Sequence, residues 1–219
     1  MYSPRSRSAF IAFLLLIVVF AFPRPSMSQD EAPIRQEPPI SYGLVIDNSG
    51  SYRRLLEDLI RFASAVIGAN VDGDETFFVR FVDTQKIKLE QEFTTNTRDV
   101  LDSVENMYVE GGQKSILDSV RSSGVYLAEN ARTDPGRLRS IVLVTDGDER
   151  FSLAKPEETI EILKKANIRV YAVAISEEAP KTKLLERLTR ETGGRMFVMK
   201  NKSELRSAAA EVAAAIRKP

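Results

Sequence analysis

The chain has 219 residues, 43% apolar and 28% charged, with 31 basic and 31 acidic side chains and a formal charge of zero. That is the composition of an ordinary soluble globular protein with room for one domain and a tail. It contains no His and no Cys, which excludes Ser-His-Asp triads, thiol nucleophiles, disulfides, iron–sulfur clusters and zinc held by His or Cys. Any metal must be held by oxygens, as hard ions such as Mg2+, Mn2+ or Ca2+ are, and the balanced charge argues against a nucleic-acid partner.

Arg5 and Arg7 precede an unbroken apolar run from Ala9 to Phe22. The run is short for a membrane span, which needs about 20 residues, and suits the h-region of a secretory signal. Pro23 and Pro25 break it, and Ser26-Met27-Ser28 offers small residues at the first and third positions of a cleavage site before Gln29. Residues 1–28 are therefore expected to be a signal peptide, with an uncleaved anchor as the competing reading, and the product is expected to be periplasmic or extracellular with no membrane span of its own. Its removal takes away Arg5, Arg7 and Arg24 and no acid, leaving the remainder three charges to the acidic side. Residues 29–39, polar with three prolines, read as a linker, and 40–219 as one domain.

Within that domain, Ile40 to Ile46 is an apolar run ending at Asp47, the pattern of a buried strand. From Tyr52 to Ile67 apolar residues recur at helical spacing. Asp72-Gly73-Asp74 is a turn. Glu75 to Val82 is strongly β, and Lys86 to Phe93 alternates as a half-exposed edge strand. Thr97 to Met107 is a short amphipathic helix, Gly111-Gly112 a break, and Ile116 to Ala128 a second long helical pattern. Ser140 to Thr145 is another buried strand, ending at Asp146-Gly147-Asp148. Pro156 to Ala166 is helical, with Pro in the tolerated first turn. Ile168 to Ile175 is a strand, Thr182 to Glu191 a helix, Arg195 to Met199 a strand and Ser203 to Ile216 an Ala-rich helix. Apolar strands alternating with helices predict a three-layer, doubly wound α/β fold: a mainly parallel central sheet, helices on both faces and one antiparallel edge strand.

Sites in open α/β sheets lie just beyond the carboxyl ends of the strands. Two such ends are rich in oxygen ligands, Asp47-Asn48-Ser49-Gly50-Ser51 and Thr145-Asp146-Gly147-Asp148. Asp47, Ser49 and Ser51 recur at every second residue, a spacing that aims a carboxylate and two hydroxyls at one point, with Gly50 allowing a close turn and the next helix N-terminus nearby. Two neutral hydroxyls and few carboxylates leave a divalent ion under-neutralised, so it would seek an acidic group from outside. The same residues also read as a helix cap and a strand end.

Ile46-Asp47-Asn48-Ser49-Gly50-Ser51 resembles the metal-ion-dependent adhesion site of von Willebrand factor type A domains. Val142 to Gly147 resembles that family's second aspartate loop, and Gly111 to Asp118 its middle Gly-Gly segment with the helix that follows. The similarity covers about residues 40–199 and looks like that of bacterial exported proteins carrying this domain. It implies that Asp47, Ser49, Ser51 and Asp146 are metal ligands, the serines direct and the aspartates direct or through water, for Mg2+ (or Mn2+ or Ca2+). The family's remaining ligand is a Thr after the Gly-Gly pair, and in the ungapped alignment Lys114 takes that place. A charged lysine has no lone pair and cannot ligate a cation. Either its ammonium sits where the metal would, neutralising Asp47 and Asp146, or the loop shifts by one and offers Ser115 Oγ.

Three functional readings follow. The first is a non-enzymatic, exported protein-binding module whose ion is completed by an acidic group of the partner. The second is a metal-free structural or interaction module with Lys114 replacing the ion. The third, a metal-dependent hydrolase using Asp47 and Asp146, has against it the lack of a P-loop, a G-x-S-x-G elbow and any His or Cys base. Asp148 is either an outer acid or a substitute ligand of the site or, with Asp146 and Glu149, part of an exposed acidic loop; Arg137 and Arg139 read as surface charge, and Phe77, Phe78, Phe81 and Phe93 as core.

Overall fold

The computed structural model describes residues 37–218 apart from 177, 178 and 200, and for side chains also apart from 202 and 206. The expected signal peptide, 1–28, and most of the expected linker lie outside the described residues. No described helix is long and apolar enough to cross a membrane.

Six strands, β1 (Ile40–Asp47), β2 (Glu75–Phe81), β3 (Ile87–Thr94), β4 (Leu138–Thr145), β5 (Ile168–Ile175) and β6 (Arg195–Met199), form one sheet in the order β3-β2-β1-β4-β5-β6. Every pairing is parallel except β2 with β3, so the antiparallel edge strand expected from the alternation at 86–93 stands at one margin of the sheet. Among the described residues the α-helices are α1 (Leu56–Ile67), α2 (Thr97–Glu105), α3 (Ile116–Asn130), α4 (Pro156–Lys165), α5 (Lys183–Thr192) and α6 (Leu205–Ile216).

The strand pleat divides the core in two. Tyr42, Leu44 and Ile46 of β1, Val142 and Val144 of β4 and Val173 of β5 face α1, α2 and α6, where Leu59, Phe62, Val100, Val104 and Val212 meet them. Val45, Ile141, Leu143 and Ala172 face α3, α4 and α5 through Ile116, Val120, Leu163, Leu185 and Leu188. Leu44, Val45 and Ile46 pair in register with Val142, Leu143 and Val144, all six fully buried. Strands covered on both faces need apolar residues at every position, which is why β1 and β4 read as continuous apolar runs. Phe77, Phe78 and Phe81 are fully buried, and Phe93 packs edge-on against Phe77 at 4.8 Å.

Three details depart from the sequence reading. The helical spacing from Tyr52 does not begin one helix: Gly50–Tyr52 is a 3-10 turn, and α1 starts at Leu56. Its N-terminus is therefore displaced from the Asp47 loop. Gly50 has open space around it and no left-handed φ, so the freedom expected of it is unused. Arg137 is not surface charge. Its guanidinium is buried and donates to Ile40 O (3.1 Å), Ser41 Oγ (3.3 Å) and Gly73 O (3.0 Å), besides pairing with Asp134.

The β2-β1 and β4-β5 halves of the sheet wind in opposite directions from β1, so the switch point falls between the carboxyl ends of β1 and β4. Asp47 ends β1 and Asp146 follows β4 directly, which puts both carboxylates at that crevice.

Candidate adhesion-type site

Asp47 is fully buried at the end of β1. One carboxylate oxygen accepts Ser49 N–H at 2.9 Å and the other accepts Thr145 Oγ1–H at 2.9 Å, so β4 clamps the β1 carboxylate across the switch point. Ser49 and Ser51, two apart on the loop, bring their hydroxyls to 3.0 Å of each other. Ser51 Oγ also donates to Asp146 Oδ2 at 3.4 Å. Asp146 Oδ1 accepts Asp148 N–H at 2.9 Å, which curls the loop and turns Oδ2 toward Ser51. Gly147 makes that curl possible. It has φ +80, and a Cβ there would lie 1.9 Å from Lys181 O, while Lys181 N–H donates to Asp146 O at 2.7 Å. The four residues singled out in the sequence, Asp47, Ser49, Ser51 and Asp146, thus meet at one point.

A fifth residue meets them there. Lys114 Nζ donates to Ser51 Oγ at 2.8 Å and to Asp146 Oδ2, and lies 3.8 Å from Asp47 Oδ2. Its side chain is 9% exposed. The ring of Tyr52 lies with its centroid 5.7 Å from Nζ, within cation–π range, and Tyr52 is itself held by its hydroxyl on Ile175 O at 3.0 Å. Of the two sequence alternatives at this loop, the structure has the ammonium at the cluster. Ser115 Oγ is turned the other way, accepting from Thr84 Oγ1 at 3.1 Å.

Burial pushes the Asp47 carboxyl up to about 6, desolvation outweighing the lowering by Lys114 and by Ser49. Burial likewise raises the Tyr52 phenol well above its usual value, with Asp47 and Asp146 adding to the effect. Asp148 behaves differently. Hydrogen bonds from Arg150 and then Lys181 hold its carboxyl below the ordinary value, and it points to those cations, not to Asp47.

The donor set as arranged does not fit a divalent ion. The space such an ion needs between Asp47, Ser51 and Asp146 is taken by an ammonium that carries its own positive charge, offers no lone pair, and already uses two of the oxygens as acceptors.

Two carboxylates whose role no local spacing marks shape the rim. Glu149 is not an exposed acid. It accepts Leu117 N–H (2.9 Å), Ser152 N–H (3.0 Å) and Ser152 Oγ–H (2.9 Å). Asp118, in the first turn of α3, accepts Leu153 N–H (3.0 Å) and Ala154 N–H (2.8 Å). Arg150 and Phe151 N–H both donate to Lys114 O at 3.1 Å. The irregular segment 149–154 is therefore tied down along its length, yet Phe151 and Leu153 are 58% and 83% exposed. An opening of about 320 Å3, lined by Ser49 to Ser51, Gly111 to Lys114, Asp146, Asp148 and Arg150, lies directly over the cluster.

Residues 43–211 match the model of the family described as von Willebrand factor type A domain. No match was found among curated proteins. Among solved structures, the chain is similar to a von Willebrand factor type A protein from Catenulispora acidiphila (TM-score 0.71, 16% identity, 82% of this chain and 43% of that one). It is also similar to an aerotolerance-related membrane protein from Bacteroides fragilis (TM-score 0.67, 14% identity, 82% and 100%). A third is proximal thread matrix protein 1 from the mussel byssus, with a zinc-occupied MIDAS motif (TM-score 0.67, 18% identity, 81% and 48%). At these identities the likeness is one of fold.

Proposed function

The chain belongs to the von Willebrand factor type A domain family, and from that premise we propose that it is a non-enzymatic, exported protein-binding module acting in the periplasm or outside the cell. The binding surface is the rim over Asp47, Ser51, Lys114 and Asp146. One observation carries this reading: beside the cluster stands a loop whose backbone is hydrogen-bonded by Glu149, Asp118 and Lys114 O while Phe151 and Leu153 face solvent. Exposing large apolar side chains on an ordered loop is costly for a monomer and useful for recognition, because little conformational freedom is lost on binding. Tyr108, three residues before Gly111, is a further exposed aromatic, 52% exposed with its ring under the Arg80 guanidinium at 4.3 Å. A hydrolytic role has less support, since both strand-end carboxylates are engaged with Lys114. Export rests on the Arg5 to Ser28 pattern.

The test is site-specific photocrosslinking in the producing cell. A photoreactive residue at Phe151 should give one discrete crosslinked species, competed by unlabelled protein and lost with Leu153→Asp. The same probe at Asn167, exposed at the opposite end of the sheet, should give none. Equal crosslinking from both ends, or none from the rim, would refute the assignment.

A further inference from the structure

The point at which the sequence departs from the family pattern is held closely by the structure. Lys114 is not a lysine that has folded over a surface. Its carbonyl accepts two N–H groups from the loop after β4, and the next residue's N–H donates to Val82 O at 2.9 Å, so its backbone is fixed from both sides. Gly112, two residues before it, packs so closely on the segment after β2 that a Cβ would lie 2.6 Å from Val82 Cγ1 and Asp83 Oδ2. This seating sends the Lys114 side chain inward, over Tyr52, to the place where Ser51, Asp146 and Asp47 converge.

We propose that Lys114 is the resident cation of this domain: its ammonium does permanently what a bound divalent ion would do at the adhesion site, so that the wild-type protein holds its rim without metal. The chemistry follows from charge and lone pairs. Asp47 and Asp146 bring two negative charges, which a divalent ion would balance and a single ammonium balances by half. The cluster is left with one excess negative charge instead of none. An ammonium also differs from a metal in having no vacant coordination position, and Lys114 directs N–H donors at Ser51 and Asp146. A partner carboxylate would find neither an open Lewis-acid position nor a positive surplus. The partner is thus recognised by the rim itself, through Phe151, Leu153 and the groups around the opening, and recognition does not depend on divalent ions. The assignment of the cation stands whether or not the rim binds a protein; only this last consequence rests on the proposed function.

Two experiments on the full chain test the assignment. The first is calorimetric titration with Mn2+ and with Mg2+. Wild type should show no stoichiometric site. Lys114→Thr removes the positive charge and adds a hydroxyl oxygen, both of which favour a hard cation, and its affinity should rise by about tenfold or more. That gain should vanish when Asp47→Ala is added. The second needs no variant: acylation by a water-soluble ester, read by mass spectrometry. Lys114 should react about tenfold more slowly than exposed Lys88 and Lys155, because a buried, paired ammonium is a poor nucleophile. Millimolar Mg2+ should leave that protection unchanged. A wild-type site of one ion per chain that is lost in Asp47→Ala would overturn the proposal, as would a folded Lys114→Thr that gains no ion binding. Exposure of Lys114 to acylation on adding Mg2+ would overturn it as well, and decides the matter even where Lys114→Thr fails to fold. Loss of rim crosslinking with these results intact would sink the binding reading alone.

Discussion

Replacing Lys114 by Met keeps most of the side-chain length and removes the charge, leaving Asp47, fully buried, and Asp146, with 12% of its side chain exposed, facing each other without a cation. At 3.8 Å and an effective dielectric of about 20, the Lys114–Asp47 attraction alone is about 4 kcal/mol. Removing one partner of a buried pair costs about 3–5 kcal/mol by experience, so the two routes agree. Protonation of Asp47 limits the loss. Its folded value, about 6 in wild type, rises further once the ammonium is gone, because burial then acts unopposed. A carboxyl raised above its unfolded value adds stability at low pH that is lost as pH rises through the folded value. The Asp47 part of the Lys114→Met loss should therefore be close to zero at pH 5 and about 3 kcal/mol at pH 8, where an unpaired carboxylate must stay charged or bind a proton against the gradient, so the gap between variant and wild type should widen by about that amount from pH 5 to pH 8. Urea denaturation at both pH values measures this. Equal stability of the two proteins at pH 8, with unchanged m-values, would mean that the ammonium is not paired with the buried carboxylates and would refute the charge argument.

The wild type should itself show part of this dependence: with Asp47 at about 6 against an unfolded value near 4, this group makes the domain less stable by about 2 kcal/mol at pH 8 than at pH 4, and Asp47→Asn should flatten that slope. Val144→Asp places an unpaired charge at a fully buried position between β1 and β5, and should cost several kcal/mol and leave no cooperative melt; a wild-type melting curve would contradict the sheet core. Glu149→Ala deprives Leu117 and Ser152 N–H of their acceptor, so stability should fall by about 1–3 kcal/mol and amide exchange at Leu117 and Ser152 should accelerate; unchanged protection there would show that the loop is held without Glu149. N-terminal sequencing of exported protein should begin at or near Gln29, and recovery of an intact Met1 chain in membranes would favour an anchor instead.

Much of the fold was legible because doubly covered strands must be apolar throughout. Ile40 to Ile46 and Ser140 to Thr145 are runs of this kind, and the Asp that follows each marks the crevice. The Asp47, Ser49, Ser51 and Asp146 cluster was legible for the same reason, since a strand end and a two-residue spacing fix direction. Lys114 stood out only as a departure from a pattern; which way it pointed depended on how the loop after β4 and the end of β2 grip its backbone, information no local spacing carries. Glu149 and Asp118 escaped notice as pins because a carboxylate accepting backbone N–H groups 32 to 36 residues away has no periodicity to betray it. Arg137 reads as surface charge for a related reason: three residues after Asp134 it looks like an exposed turn pair, whereas its guanidinium reaches back to the carbonyls of Ile40 and Gly73. The helical spacing runs on ahead of α1 because Tyr52 and Leu55 are buried and continue it, although they lie on a 3-10 turn and the turn that follows it.

The account turns on what occupies the point between Asp47, Ser51 and Asp146. A crystal structure of the wild-type protein grown in millimolar Mn2+, with anomalous data collected at the manganese edge, measures this directly. It should show continuous density for Lys114 Nζ within hydrogen-bond distance of Ser51 Oγ and Asp146 Oδ2, and no anomalous peak at the cluster. A manganese peak coordinated by Ser49 and Ser51, with the Lys114 side chain swung away from Asp146, would contradict it.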